Sequence, residues 1–277
     1  MKIRKRYFGS LFLKGMVCFC AALTLFIIVF LVGFILVKGI PHITRELFSP
    51  VYTTENASLL PAMLNTFIVT ALALLIAVPL SVAAAVFLTE YSERSSFLVR
   101  IIRITAETLS GIPSIVYGLF GMLFFVTALG WRYSLIASIM TLVIMILPLI
   151  LRTSEEAIKS VPDLYREASF GLGAGKLRTI WKIVLPCAMP GILSGIILAT
   201  GRIVGETAAL LYTAGTATKM AGSVMDSGRT LAVHMYSLSR EGLYMNQAYA
   251  TAVVLLVLVL LMNGIAGFLA KKIGREK

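Results

Sequence analysis

The chain has 277 residues, of which 58% are hydrophobic and only 14% are charged. That leaves too little polar surface to cover a water-soluble globule of this length. The formal net charge of +12 would suit nucleic acid in a soluble domain, but no basic, aromatic-interleaved soluble segment is present to bind it. The composition therefore excludes a soluble protein and predicts an integral membrane protein, in which Lys and Arg collect on the cytoplasmic side.

Six apolar stretches are long enough, or nearly so, to cross a bilayer as helices, because about 20 residues span the ~30 Å hydrocarbon core. They are residues 16–37, 61–88, 109–129, 133–151, 189–212 and 247–270. We expect an all-α integral membrane protein of about six transmembrane helices. Its single transmembrane domain covers residues 16–270, with short terminal segments at residues 1–15 and 271–277.

The distribution of Lys and Arg predicts the orientation of the chain. If the N-terminus is cytoplasmic, 18 of these residues fall inside, six fall outside and one lies within a span. Because positive residues are retained on the cytoplasmic side, both termini are predicted to be cytoplasmic. The two histidines, His42 and His234, then lie in outer segments, where we expect surface groups.

The segment 152–186, between the fourth and fifth spans, is more polar than the spans. Its pattern predicts two short helices joined by a bend. Ser160 and Asp163 have the spacing of a capping box at the start of the first helix. Glycines at 171, 173 and 175 permit the positive φ that a sharp reversal needs. The second helix is basic and is expected to end at Pro186. We expect a helix-turn-helix that protrudes from the cytoplasmic face.

This segment resembles the "EAA" signature of permeases of binding-protein-dependent ABC importers. The matching residues are Glu167-Ala168-Ser169, then Gly173 after three residues, then Ile183-Val184-Leu185-Pro186 after nine more. Ser169 is the one departure, since the family usually has alanine there. The resemblance implies the type I, MetI-like fold and a coupling loop that inserts into a groove of an ATPase subunit. The residues it assigns to ATPase coupling are Glu167, Ala168, Gly173, Leu185 and Pro186.

A nucleotide site is not predicted in this chain. Gly173-Ala174-Gly175-Lys176 looks like part of a phosphate-binding loop, but Phe170 replaces the required glycine and Leu177 the required Ser or Thr. ATP would therefore be hydrolysed by a separate partner ATPase. We expect a non-catalytic transport subunit that binds no cofactor.

Two charged residues lie inside the fifth predicted span. Arg202 and Glu206 are four residues apart, so on a continuous helix they share a face and can pair. One interpretation is a structural ion pair. The other is an anion contact, because buried charges in spans usually face a cavity, and arginine donates paired hydrogen bonds to an oxyanion. Glu206 would then hold the guanidinium and moderate its charge.

A second resemblance favours the anion contact. Thr200 to Ala208 contains the R-x-x-G-E-T-A pattern of phosphate-importer permeases, and Gly111 to Leu119 is similar to another segment of that family. The match is closer to PstA-type than to PstC-type subunits. It implies translocation of inorganic phosphate into the cytoplasm across the bacterial inner membrane. The residues expected along the pathway are Arg202, Glu206, Thr207 and, at the inner end of the fourth span, Arg152.

The same resemblance implies the partners. They are a PstC-like second permease subunit, two copies of a PstB-like ATPase, an extracytoplasmic PstS-like phosphate-binding protein and the lipid bilayer, with no nucleic acid. A permease for another oxyanion, such as sulphate or molybdate, remains an alternative, although it should lack the third-span and fifth-span segments together. A membrane-embedded enzyme or a scaffold protein fits less well, because only Arg202 and Glu206 carry charge at membrane depth.

Overall fold

A computed structural model of the chain describes residues 2–92, 96–242 and 244–275. Residue 1 and residues 276–277 of the predicted terminal segments lie outside the described residues. Over the described ranges the chain is helical and has no strand. The helices are α1 (Lys2–Gly39), α2 (Leu60–Val86), α3 (Phe97–Ser110), α4 (Ser114–Gly121), α5 (Leu135–Lys159), α6 (Asp163–Gly171), α7 (Lys176–Thr179), α8 (Leu185–Val204), α9 (Ala208–Thr213), α10 (Leu231–Glu241) and α11 (Met245–Arg275).

Three helices continue into π turns, which lengthen the membrane segments. The π turns are Phe87–Tyr91 after α2, Met122–Ala128 after α4 and Ile180–Val184 between α7 and α8. Within the described ranges, five helices are long and apolar enough to cross a membrane, and a bent pair makes a sixth crossing if it counts as one span. The predicted all-α membrane fold is confirmed.

The bent pair corrects the predicted third span. A continuous helix over 109–129 is wrong, because α3 and α4 meet at 102° across a short break after Ser110. Ile112 precedes Pro113, and the proline ring disfavours helical backbone at the residue before it. The residues of α3 form a separate helix, in which Phe97 and Leu98 are exposed and Val99 is buried.

The fourth membrane helix, α5, lies at the centre of the bundle. Two-thirds of its most apolar window is buried, against 39% or less for every other candidate span in the described ranges. Ser134 caps its start, since the Ser134 hydroxyl accepts from the Ala137 N–H at 3.3 Å. Helices α2 and α8 pack on it, so α5 is the element against which the other helices are positioned.

Close packing of α8 on α5 depends on two glycines one turn apart. A Cβ on Gly191 would come within 2.6 Å of the Ala157 Cβ, and a Cβ on Gly195 would collide with Thr153. Small residues four apart allow helix backbones to approach closely in a membrane. The two helices therefore contact each other most tightly in the half that leads to α6 and α7.

The two ends of the bundle differ in construction. At one end α5 runs into the α6–α7 corner. At the opposite end, the last residue of α9 and the segment after it cover the start of α5. The Ser134 N–H donates to the Thr213 carbonyl and the Leu135 N–H to the Asp226 carbonyl, each at 3.0 Å. The 25 residues of α5 separate the ends by about 37 Å, at 1.5 Å per residue.

Candidate functional site: the α6–α7 corner and the α8–α9 break

The α6–α7 corner is a protruding reversal of the chain. Gly173 has φ of +80°, the left-handed conformation that glycine adopts without strain. The neighbouring Leu172 is 90% exposed. The predicted coupling residues Glu167 and Ala168 are exposed on α6, whereas Leu185 is buried at the start of α8 and Pro186 is half-buried. Phe170 and Leu177 on either side of Leu172 are also exposed, and a group of exposed apolar side chains is typical of a contact surface for another protein.

Two local predictions for this corner are wrong. The Ser160 hydroxyl donates to the Ala157 carbonyl at 2.7 Å instead of capping α6, which begins at Asp163 without a side-chain cap. Pro186 does not end the second helix, because residues Lys176–Val204 form one helix of 29 residues. The π turn Ile180–Val184 already shifts the hydrogen-bond register before Pro186, so its missing N–H does not interrupt the helix.

A buried ion pair ties α6 to the end of α2. The Arg166 Nε and Nη2 atoms donate to Glu90 Oε1 at 3.0 and 2.7 Å. The side chains are only 14% and 9% exposed. Arg166 also donates to the Val161 carbonyl at 2.8 Å and to the Ile158 carbonyl at 3.1 Å, which fixes it to the end of α5. Arg166 therefore links α6 to the ends of two membrane helices, α2 and α5.

The ion pair between Glu90 and Arg166 was not predicted from the sequence. The partners are 76 residues apart, and a solitary glutamate after an apolar run reads as an interfacial residue. The only signal is local: Arg166 immediately precedes Glu167 of the signature.

Arg152 belongs to a cluster of charges at the same end of the bundle. Its Nε lies 3.3 Å from Glu156 Oε1 and its Nη1 lies 3.6 Å from Glu107 Oε1, and its side chain is half exposed. Next to it, Arg103 and Lys159 each approach Glu155 Oε1 at 2.6 Å. Arg152 thus has carboxylate partners on α3 and α5, so it is not a free cation among the described residues.

The predicted pairing of Arg202 with Glu206 does not form. Helix α8 ends at Val204 and α9 begins at Ala208, so the two residues do not share one helix face. Glu206 is 8% exposed, and its Oε1 accepts from the Ala209 N–H at 3.1 Å, at the start of α9. Within the described ranges no carboxylate lies within 4.0 Å of the Arg202 guanidinium. Gly205 ends α8 and thereby separates the two charges.

The two segments that carried the second resemblance meet in the structure. A Cβ on Gly118 of α4 would come within 2.8 Å of the Ala209 Cα in α9. Gly121 packs in the same way against Thr141 and Thr213. Thr207, predicted on the pathway, is half-buried at the break, and its hydroxyl makes only a long contact of 3.4 Å with the Gly205 carbonyl. Arg202, Glu206 and Thr207 therefore lie at or beside the α8–α9 break, whereas Arg152 lies on α5 towards the α6–α7 corner.

The predicted surface position of His234 is wrong. His234 lies in α10 and is wholly buried, whereas His42 is half-buried on the short helix after α1. The polar residues around α10 suggest an exposed loop in the sequence. The structure shows that α10 folds back onto α2 and α11.

These features define a multi-spanning helical membrane protein with a protruding contact corner and a cation inside a broken span. Residues 77–275 match the family described as "Binding-protein-dependent transport system inner membrane component". The chain belongs to this family. The predicted membership among importer permeases, and the multi-pass location in the inner membrane, are confirmed.

Individual relatives agree with this result. The chain is 33% identical over 284 residues to "Probable ABC transporter permease protein YqgI" of Bacillus subtilis, covering 95% of each chain. It is 33% identical over 230 residues to "Phosphate transport system permease protein PstA" of Xylella fastidiosa, covering 82% of this chain and 80% of that one. These relatives are transport permeases by name.

A solved structure supports the fold. A chain of "Inward facing conformations of the MetNI methionine ABC transporter: CY5 SeMet soak crystal form" superposes with a TM-score of 0.60 at 23% identity, covering 78% of this chain and 94% of that chain. At this identity the likeness concerns the fold alone. The predicted MetI-like architecture is confirmed.

Proposed function

We propose that this chain is the permease subunit of an ATP-driven importer that translocates inorganic phosphate into the cytoplasm. The observation that carries the proposal is Arg202, which lies within the membrane helix α8 without a carboxylate partner in the described ranges. A lone arginine at this depth is costly unless it faces a cavity or a ligand. The name of the Xylella fastidiosa relative supports phosphate as the substrate.

The surroundings of Arg202 suit a passing oxyanion. A Cβ on the preceding Gly201 would meet nothing within 4 Å, and Gly205, one turn on, is exposed. The helix face beside the guanidinium is therefore bare. Arginine stays charged at physiological pH and donates two parallel hydrogen bonds to a phosphate, which favours it over lysine for this contact.

The other pathway residues have supporting roles in this proposal. Glu206 stabilises the α8–α9 break by accepting from the Ala209 N–H, and so it sets the position of Arg202 through the backbone. Thr207 offers a hydroxyl to the anion at the same corner. Arg152 is a second station only if phosphate displaces its contacts with Glu107 and Glu156.

The α6–α7 corner is proposed as the docking surface for the ATPase. Its exposed apolar tip at Leu172 and the buried Arg166–Glu90 link behind it favour a contact that moves α2 and α5. The partner ATPase, in two copies, would use ATP, and this chain would bind no cofactor. A PstC-like permease and a PstS-like extracytoplasmic phosphate-binding protein complete the proposed assembly, with both termini of this chain in the cytoplasm.

The test is uptake of radiolabelled phosphate by vesicles that contain the complete assembly. We expect Arg202→Gln to abolish ATP-dependent uptake, Arg202→Lys to retain part of it, and Arg45→Gln to behave as wild type, because Arg45 is exposed on a short helix outside the spans. Normal uptake by Arg202→Gln would contradict the proposal. ATP-dependent uptake of radiolabelled sulphate or molybdate, with no uptake of radiolabelled phosphate, would assign the permease to another oxyanion.

A further inference from the structure

A second arginine without a carboxylate partner lies at the end of the bundle opposite α6 and α7. Arg229 is only 5% exposed. Its Nε and Nη2 atoms, two donors on one edge of the guanidinium, are enclosed and have no hydrogen-bond acceptor among the described residues. No Asp or Glu of the described ranges lies within 4.0 Å of it. A buried, unpaired charge is expensive, so its retention calls for a ligand or partner that supplies the missing acceptors.

Arg229 is held in place through its backbone. Its N–H donates to the Ala217 carbonyl at 3.0 Å, and its carbonyl accepts from Asn65 Nδ2 at 3.3 Å. The next residue but one, Leu231, donates its N–H to the Thr66 hydroxyl at 2.8 Å. Asn65 and Thr66 are both buried in the first turns of α2. The guanidinium is thus positioned by contacts that do not involve its own charge.

The Arg229 side chain lines a pocket whose polar groups suit an anion. The pocket has a volume of about 470 Å³, and it is lined by Tyr52, Leu211, Thr216, Thr218, Arg229, Tyr236, Ser237 and Arg240. The lining contains two arginines, five hydroxyls and no carboxylate. The guanidinium carbon lies over the Tyr52 ring, 4.7 Å from the ring centroid. An anion in this pocket would therefore meet positive charge and hydroxyl donors without a carboxylate to repel it.

The neighbouring His234 does not compete for the anion. It packs edge-on against Tyr52, with ring centroids 6.1 Å apart. Burial lowers the pKa of His234 to about 3, and the Arg229 charge acts in the same direction, against a smaller opposing effect of the Ala57 backbone. His234 is therefore neutral at physiological pH. The positive charge at this end of the pocket comes from Arg229, joined by Arg240 at the rim.

The pocket reaches α9, the short helix that follows the α8–α9 break. Leu211 belongs to α9, and Thr216 lies three residues after the end of α9. Both residues also line an adjoining pocket of about 460 Å³ with Tyr133 and Ser227. A polar surface therefore runs from the end of the bundle to the residues that follow Arg202 in the chain.

We propose that Arg229, with the hydroxyls of Thr218 and Tyr236, forms a binding site for a tetrahedral oxyanion at this end of the bundle, before the anion reaches Arg202. The identity of the anion as phosphate rests on the proposed function, whereas the site itself rests on Arg229 and its pocket. The Nε–Nη2 edge is enclosed as the side chain stands, so the proposal includes a rotation of the guanidinium that turns this edge to two oxygens of the anion. Thr218 is half-buried and Tyr236 is exposed at the pocket, so their hydroxyls are accessible as donors.

The experiment is equilibrium binding of radiolabelled phosphate, sulphate and molybdate to the full-length protein in lipid nanodiscs. We expect Arg229→Gln to weaken binding by about tenfold or more, as for loss of a hydrogen bond to a charged group. Arg229→Lys should retain part of the affinity. Arg45→Gln, an exposed arginine outside the pocket, is the matched control and should bind as wild type.

Two milder variants test the site even if Arg229→Gln fails to fold. Thr218→Val and Tyr236→Phe each remove one hydroxyl with little change of shape, and each should weaken binding several-fold. Unchanged affinity in both, or in a folded Arg229→Gln protein, would overturn the proposed site. If the Arg229-dependent anion proves to be sulphate or molybdate, the site stands and the assignment of phosphate fails. If Arg202→Gln leaves uptake intact while Arg229→Gln weakens binding, the proposed role of Arg202 fails and the site again stands.

Discussion

The hydroxyl oxygens of Ser169 and Thr179 lie 2.8 Å apart, buried between α6 and α7. Ser169 is the position at which the chain departs from the alanine usual in importer permeases. The departure adds a hydrogen bond across the reversal, beside the bond from the Ala174 N–H to the Ser169 carbonyl at 3.1 Å. The α6–α7 corner of this chain is thus closed by a polar contact that alanine cannot make.

Ser169 and Thr179 differ in the number of hydrogen bonds that they make, so substituting them should have different effects on stability. Thr179 also donates to the Gly175 carbonyl at 3.2 Å. Ser169→Ala therefore leaves Thr179 satisfied and should cost less than about 1 kcal/mol of unfolding free energy. Thr179→Val leaves the buried Ser169 hydroxyl without this partner and should cost about 1–3 kcal/mol. Denaturation of the purified full-length protein measures both, and a larger loss for Ser169→Ala would contradict the assignment.

The Arg166–Glu90 pair predicts a second asymmetry. Arg166→Met leaves Glu90 buried without its cation and should destabilise the protein by about 3–5 kcal/mol. Glu90→Gln should cost less, because Arg166 keeps the Val161 and Ile158 carbonyls and Asp163 as acceptors. The double variant should be more stable than Arg166→Met alone. Thermal unfolding of the three proteins is the measurement, and additive losses in the double variant would exclude direct coupling of the pair.

Gly173 gives a prediction with a control on the same turn. Gly173→Val places a β-branched side chain at φ of +80° and should strain the corner and reduce recovery of the ATPase with the permease. Gly171→Ala should behave as wild type, because Gly171 ends α6 without positive φ and has nothing within 4 Å of a new Cβ. Co-purification and phosphate uptake are measured for both. Normal values in Gly173→Val would show that this turn does not position the docking surface.

The close approach of α8 to α5 can be tested at Gly195. Gly195→Val forces a side chain into Thr153 and should cost about 1–3 kcal/mol or more. Gly264→Val in α11 is the matched control, since a Cβ there meets nothing within 4 Å. The difference in thermal midpoint between the two variants reports the packing of this helix pair. Equal midpoints would mean that the helices do not pack this closely in the membrane.

The orientation in the membrane remains a prediction, and the structure selects the sites to test it. Ser58 lies in a predicted outer segment but is 1% exposed, so a cysteine there would be protected whichever side it faced. Thr54 and Ser223 are exposed at the end opposite α6 and α7, and Leu172 is exposed at the corner. In a background without Cys18, Cys20 and Cys187, a membrane-impermeant thiol reagent applied to intact cells should label Thr54→Cys and Ser223→Cys but not Leu172→Cys. The opposite pattern reverses the topology.

The parts of the fold that depend on composition and local backbone could be predicted from the sequence. Apolar length placed the membrane helices, and the glycine run gave the reversal at Gly173, whose positive φ the structure shows. The breaks within membrane segments were predicted poorly. A proline follows a break in the helix at Pro113, whereas the chain stays helical at Pro186, and the presence of proline alone does not tell the two cases apart.

The residues of the candidate sites could likewise be predicted only in part. Arg202 and Glu206 could be selected from the sequence because charged residues are rare in membrane spans. The end of α8 between them could not be predicted. Because α8 ends there, Glu206 accepts a hydrogen bond at the start of α9 and does not pair with Arg202. Glu90 and Arg229 could not be predicted, since their surroundings are assembled from distant parts of the chain. Asn65, which holds Arg229, is 164 residues away from it.

The uninterrupted helix Lys176–Val204 has a mechanical consequence. At 1.5 Å per residue its 29 residues extend about 43 Å, from the α6–α7 corner past Arg202. Had Pro186 ended this helix, a joint would have separated the two. If this helix tilts as one body by ~10° about its middle, its two ends move by roughly 4 Å in opposite directions. The contact with Thr153 and Ala157, made by Gly191 and Gly195 near the midpoint of the rod, lies where its fulcrum would be.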